Sequence, residues 1–117
     1  MTDDGWEQRL AGLSSEPLDG GLTLYVARAF RARRRGLAKM APLPDAHALR
    51  ILKCNSVHTF GMRFPLDLVW LGRRGGVLRV DHDVRPGRVK LCVRARSVVE
   101  TRTGQGDRFA RALSDGA

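Results

Sequence analysis

The segment that most constrains the fold is residues 66–71 (LDLVWL), which are apolar at every position except Asp67. A short run with so few polar residues predicts a central strand that is covered on both faces. The sequence GRRGG at 72–76 follows directly and predicts a hairpin turn. Residues 77–82 alternate in polarity, which predicts a strand returning antiparallel to the first. A central strand of this kind requires further strands beside it and a layer packed on each face.

Four further segments are rich in aliphatic and β-branched residues, are separated by turn-forming residues, and predict strands. They lie at 22–26, 48–53, 89–93 and 96–101. A short and strongly basic helix is predicted at 28–39, because arginine dominates this stretch and Pro42 prevents its continuation. Six strands and one helix predict a mainly β fold: a compact antiparallel β sandwich or barrel with one short basic helix packed on it.

Charge is divided unevenly between the N-terminus and the rest of the chain. Residues 1–20 contain five acidic residues against one basic residue, together with several glycines, and predict a flexible acidic tail. The other residues carry 20 Lys and Arg against seven Asp and Glu, a net charge of +13. We expect one domain at 21–104, followed by a short C-terminal helix or frayed tail at 105–117. A basic body favours an anionic partner, although an arginine-rich composition also arises in GC-rich genomes without selection for binding.

Cellular location and cysteine chemistry are also constrained by composition. No apolar run approaches the roughly 18 residues that cross a bilayer, and the N-terminus lacks the apolar region of a signal peptide. We therefore expect a cytoplasmic protein. Cys54 and Cys92 are too few to build a disulfide scaffold, and in a reducing compartment we expect two free thiols. Nothing in the sequence predicts a cofactor.

Three blocks of the sequence carry a resemblance to a known family. They are RRRGLAKM at 33–40, CNSVHTFGMRFPLDLVWL at 54–71 and VRPGRVKLCVRARSVVE at 84–100. In this order they resemble the DUF192 family, small bacterial and archaeal domains without an assigned activity. The resemblance implies a mainly β fold and brings no known reaction or cofactor with it.

The loop at 58–67 supports two interpretations. In the first, its polar and aromatic side chains form the rim of a non-enzymatic binding module for an anionic small ligand or a protein partner. In the second, the same side chains brace a bend: Thr59 and His58 satisfy backbone groups, Asp67 pairs with Arg63 or His58, and the apolar residues anchor the loop by burial. The candidate ligand-binding residues are His58, Thr59, Met62, Arg63, Asp67, Arg88 and Lys90.

Catalysis and metal binding are weaker alternatives. Cys54, His58 and Asp67 have the residue types of a catalytic triad, so a Cys/His-dependent hydrolase or thiol enzyme is one alternative. Cys54 and His58 would lie roughly 13 Å apart along a straight strand, which disfavours it, and we assign no catalytic residue. Cys54 and His58 have a tolerable spacing for two zinc ligands, and His82 and Cys92 would complete the set. The second pair has no short chelating loop, and no metal site is predicted.

Non-specific nucleic-acid binding through the predicted helix at 28–39 is a further alternative. An arginine-rich helix can contact phosphate groups, and binding of this kind is sensitive to salt. The chain has few aromatic residues on which bases could stack. The candidate residues are Arg28, Arg31, Arg33, Arg34 and Arg35.

Overall fold

Eight strands and one helix form the part of the chain that the structure, a computed structural model, describes: residues 10–28 and 43–115. The strands are β1 (Ser14–Leu18), β2 (Leu22–Ala27), β3 (His47–Leu52), β4 (Ser56–His58), β5 (Leu66–Leu71), β6 (Val77–Val84), β7 (Val89–Leu91) and β8 (Ser97–Arg102), and the helix is α1 (Gly106–Asp115). The mainly β fold predicted from the sequence is confirmed.

Six strands form one sheet in the order β1-β2-β3-β8-β5-β6, and β4 pairs with β7 in a separate two-stranded sheet, which we call the ribbon. Every neighbouring pair is antiparallel except β2 and β3, which run parallel. The main sheet has β1 and β6 at its edges and is not closed into a barrel. Of the two predicted architectures, the structure therefore has the sandwich-like one.

Strand β5 is the central strand that the sequence predicts, since all six of its residues are buried. It lies between β8 and β6 and pairs antiparallel with both. Side chains alternate across a strand, so Leu66, Leu68 and Trp70 face one side of the sheet and Val69 and Leu71 face the other. The two sets belong to two different apolar clusters, as expected for a strand covered on both faces.

Each face of the main sheet has its own cover. On one face, Val57 of the ribbon and Met62 and Phe64 of the following loop pack into the first cluster. On the other face, α1 inserts Phe109, with Ala112 and Leu113 packed beside it. These α1 residues have the spacing of one helix face, so the helix buries an apolar stripe against the sheet. We refer to these two sides as the ribbon side and the helix side.

Two strands differ from the sequence analysis, and one predicted element is not described. Residues 14–18 form β1 on the edge of the main sheet, inside the stretch predicted to be an acidic tail; their side chains are largely exposed, so no apolar pattern marks the strand. Strand β4 has three residues and also gives no pattern. The predicted helix at 28–39 lies outside the described residues except for Arg28; among the described residues, the helix that packs on the sheet is α1.

Candidate functional site

Thr59 braces the loop that follows β4. Its side chain is fully buried, and its hydroxyl donates to the carbonyl of Arg85 and accepts the N–H of Arg88, both at 2.7 Å. Its backbone accepts the N–H groups of Gly87 and Met62. Thr59 therefore satisfies backbone groups of the turn at 85–88 and holds that turn against the loop, as the bracing interpretation predicts.

Asp67 closes the junction between β5 and α1 on the helix side. Its Oδ2 accepts the N–H groups of Gly104 at 3.0 Å and Gly106 at 2.8 Å, and its Oδ1 accepts the N–H of Asp83 at 2.9 Å. The carboxylate thus satisfies N–H groups at the start of α1, where a negative charge is favourable. The predicted pairing of Asp67 with Arg63 or His58 is wrong, because the side chain of Asp67 faces the opposite side of the sheet from the ribbon.

Gly106 is required by the same junction. A Cβ atom at this position would lie 2.8 Å from Cβ of Asp67 and 2.9 Å from its Oδ2. Contacts this short would force the helix away from β5 and lengthen the hydrogen bond that starts it. Sequence reasoning placed this glycine in the C-terminal tail and gave it no role.

The remaining candidate ligand-binding residues differ in how exposed they are. Met62 is buried in the ribbon-side cluster, and Lys90 is half-buried beneath the ribbon opposite Val57. His58, Arg63 and Arg88 are exposed. The structure therefore does not gather the seven candidates around one pocket; Thr59, Met62 and Asp67 hold the fold together.

The fold does not arrange the residues named for catalysis or for metal binding around one site. The Cys54 thiol contacts the carbonyl of Ser56 at 3.1 Å, His58 lies opposite Val89 on the outer side of the ribbon, and Asp67 is engaged at α1. Cys54 and Cys92 are free thiols, as predicted. Within residues 10–28 and 43–115, no group of three or more His, Cys, Asp or Glu side chains could hold a metal ion.

The outer side of the ribbon carries exposed apolar side chains. Facing residues in an antiparallel pair point to the same side, so Val89 and Leu91 of β7 share this side with His58 and Ser56. The ring of Phe60 lies 5.7 Å from the ring of His58, measured between centroids. We call the four exposed side chains Phe60, Val89, Leu91 and Val93 the ribbon face.

A groove of about 380 Å³ continues from the ribbon face toward β6. Its lining comprises Leu78, Arg79, Leu91, Cys92, Val93 and Arg94. All five large hydrophobic side chains that are exposed in the described residues lie on the ribbon face or in this groove. A continuous apolar surface bordered by charged residues is typical of an interaction site.

Arg79 connects the groove to the main sheet. Its guanidinium donates to Asp81 Oδ2 at 2.9 Å and to the backbone carbonyl of Leu91 at 2.6 Å, and it lies 5.5 Å from the ring centroid of Trp70. The indole N–H of the buried Trp70 donates to the same Asp81 oxygen at 2.9 Å. The arginine therefore holds β7 near β6, while Arg94 is exposed at the other end of the groove.

Sequence reasoning missed both the ribbon face and one buried acid. The alternation of Val89, Leu91 and Val93 predicts a strand, but it does not show that this side of the strand faces solvent. Glu100 of β8 is 5% exposed and shares a sheet face with its neighbours Leu49 and Leu68. Its alternation with Val98 is the signal that could have identified it as a buried carboxyl group.

Most of the candidate residues for nucleic-acid binding lie outside the described residues. Arg28 is exposed at the end of β2, and Arg31, Arg33, Arg34 and Arg35 lie outside the described residues. No helix in the described ranges is long and apolar enough to span a membrane.

The architecture defines a small, mostly β domain of sandwich-like form with one helix packed on the main sheet. The chain belongs to the DUF192 family, whose model, described as an uncharacterised ACR, matches residues 9–113. No curated protein is significantly similar to the chain. The family membership implied by the three sequence blocks is thus confirmed.

Two crystal structures have the same fold. A protein of unknown function from Novosphingobium aromaticivorans DSM 12444 is 15% identical, with a TM-score of 0.66 and coverage of 86% of this chain and 89% of the other. A protein proposed to be a transcription regulator from Sinorhizobium meliloti 1021 is 16% identical, with a TM-score of 0.67 and coverage of 81% and 82%. At these identities the similarity establishes the fold alone.

Proposed function

We propose that this DUF192 domain is a non-enzymatic binding module, and that it binds an acidic protein segment through the ribbon face and the adjoining groove. The observation that carries the proposal is the gathering of every exposed large hydrophobic side chain of the described residues on this one surface. Soluble proteins rarely leave such a surface uncovered unless it is bound by a partner.

Charge supports an acidic partner. Arg79 and Arg94 line the groove, and Arg88 directly precedes Val89. Arg94 has no acidic partner within the described part of the chain, so its charge is available to a ligand. A second copy of this chain would bring the same arginines against their own counterparts, and like charges across an interface are unfavourable.

A protein segment fits this surface better than a small anion does. The polar groups that could converge on a small ligand, those of Thr59 and Asp67, bind backbone groups of the domain itself. The surface that remains is a row of aliphatic side chains on a strand, which matches alternate side chains of an extended segment. Burial of that row would supply most of the affinity, and the arginines would supply selectivity for acidic residues.

A short peptide of alternating glutamate and valine provides the test. We expect it to bind the isotope-labelled domain and to shift the backbone amide resonances of β4, β7 and residues 92–94 in two-dimensional NMR. Replacing glutamate by lysine in the peptide should abolish binding. Leu91→Ser should weaken binding by about tenfold, since it removes a large part of the buried apolar surface.

A matched pair of charge reversals controls for net charge. Arg94→Glu should weaken the peptide by about twofold to fivefold, the effect of one exposed ion pair. Arg111→Glu makes the same change on α1, on the other side of the main sheet, and should leave affinity unchanged. Equal effects of the two reversals, or no resonance shifts on the ribbon, would contradict the proposed site.

A further inference from the structure

The outer edge of β7 carries backbone groups that point away from β4. The N–H of Cys92 donates to the carbonyl of Asn55 at 2.9 Å, and the carbonyl of Arg88 accepts the N–H of Thr59 at 2.8 Å. Peptide groups alternate in direction along a strand, so the N–H and C=O groups of Val89 and Leu91 point to the opposite edge. Within the described residues β7 pairs with β4 alone.

The groove lies along this edge, and one side chain already uses it. The guanidinium of Arg79 donates to the carbonyl of Leu91 at 2.6 Å, which is where the N–H of an added strand would bind. Arg79 is partly exposed and also has Asp81 as a partner, so it can leave the carbonyl without losing its ion pair. The edge of β7 is therefore occupied by a replaceable donor.

The other strand edges are less suited to pairing. β1 contains Pro17, which has no N–H to donate, and β4 has polar residues, Ser56 and His58, at both ends. β6 has two irregularities in its register with β5, and Asp83 near its end has φ of 52°. Irregular and proline-containing edges resist the addition of a strand, whereas β7 is flanked by exposed aliphatic side chains.

We propose that the acidic partner segment binds as an extended strand added to the outer edge of β7, so that the two-stranded ribbon becomes three-stranded. This mode of binding rests on the proposed function and specifies how that surface acts. Backbone hydrogen bonds to Val89 and Leu91 hold the segment, its alternate apolar side chains extend the ribbon face, and its carboxylates meet Arg79 and Arg94. The guanidinium of Arg79 moves from the Leu91 carbonyl to a carboxylate of the segment.

An N-methyl scan of the glutamate–valine peptide tests the mode of binding. Each variant carries one backbone methyl group, which removes one N–H donor and leaves every side chain in place. In an added strand, alternate N–H groups face β7, so we expect methylation to weaken binding by about tenfold or more at every second position of the central residues and to have little effect between them. Amide hydrogen exchange at Val89 and Leu91 should slow when the unmodified peptide is bound.

The outcomes separate the two proposals. Binding that is insensitive to methylation, or equally sensitive at consecutive positions, overturns strand addition and leaves the ribbon face as the binding surface. Failure of the unmodified peptide to bind overturns both proposals. A period-two pattern together with protection of the Val89 and Leu91 amides supports strand addition.

Discussion

The two sides of the main sheet differ in the side chains that they bury: the helix side buries a carboxylate, whereas the ribbon side leaves aliphatic side chains exposed. On the helix side, the buried carboxylate of Asp67 accepts three backbone N–H groups and joins β5 to α1. On the ribbon side, Val57 is buried while Val89 and Leu91 of the neighbouring strand face solvent. Asp67, one of the candidate ligand-binding residues, is structural, and two aliphatic residues of a predicted strand, Val89 and Leu91, are exposed.

This contrast gives a criterion for separating a brace from a binding site. A polar side chain whose hydrogen bonds are already made within the fold has little left to offer a ligand. An exposed apolar side chain that lies beside other exposed apolar side chains still gains free energy when a partner buries it. Substitutions on each side of the sheet test this difference between a structural side chain and a binding surface.

Asp67→Asn should produce the largest loss of stability. The substitution replaces one carboxylate oxygen by an NH₂ group, which then faces backbone N–H donors in a buried site. We expect the free energy of unfolding to fall by about 3 kcal/mol in urea denaturation. Asp45→Asn, which alters an exposed ion pair with Arg102, is the matched control and should change it by less than about 0.5 kcal/mol. A loss at Asp67 no larger than that of the control would show that the junction is not a brace.

Val57→Ser and Leu91→Ser compare the inner and outer sides of the ribbon. Val57 is 7% exposed and Leu91 is 59% exposed. We expect the inner substitution to destabilise the domain by about 2.5 kcal/mol, and the outer one by less than about 0.5 kcal/mol. Circular dichroism during thermal unfolding measures both. A large loss at Leu91 would mean that its side chain contributes to folding, and the reading of the ribbon face as a binding surface would weaken.

Gly106→Ala tests the close approach of α1 to β5. The added methyl group would overlap the side chain of Asp67, and we expect a loss of about 2 kcal/mol. Gly76→Ala is the control, because a Cβ there has no heavy atom within 4 Å. Unfolding in urea should separate the two variants clearly; equal stability would mean that the helix start can shift at little cost.

Thr59→Val removes one hydroxyl from the loop after β4 and nearly preserves its shape. The partly buried N–H of Arg88 loses its hydroxyl acceptor, so we expect a loss of about 1.5 kcal/mol and faster hydrogen exchange at that amide. Thr23→Val in β2, where the side chain is half-buried, should have a smaller effect. Unchanged exchange at Arg88 would argue that another group holds the turn.

The smallest effect is expected from the exposed pair of His82 and Asp107 on the helix side. The hydrogen bond with Asp107, 2.8 Å long, raises the pKa of His82 above its usual value of 6.5. A raised pKa in the folded state stabilises the protein below the unfolded pKa, and the contribution disappears as pH rises through the folded pKa. The Tm difference between wild type and His82→Gln should therefore shrink between about pH 6 and pH 8. A Tm difference that stays constant over this pH range would show that the pair of His82 and Asp107 does not contribute to the pH dependence of stability.

The sequence predicted the elements whose signals are local. The strands at 22–26, 48–53, 66–71 and 77–82 were placed within a few residues, because each has its own apolar pattern between turn residues. Strands β1 and β4 were missed, since exposed or very short strands have no pattern of their own. The bracing role of Thr59 was predicted, but its partners at 85–88 were not.

The sequence by itself determined the mainly β fold, the double burial of β5 and the family, because apolar alternation, turn residues and motif blocks are written along the chain. Only the tertiary structure decided what Asp67 binds and which side of β7 faces solvent. Asp67 and Gly106 are 39 residues apart, and their contact depends on how β5, β8 and α1 are arranged. The exposure of Val89 and Leu91 likewise follows from the pairing of β7 with β4 outside the main sheet, which no local pattern encodes.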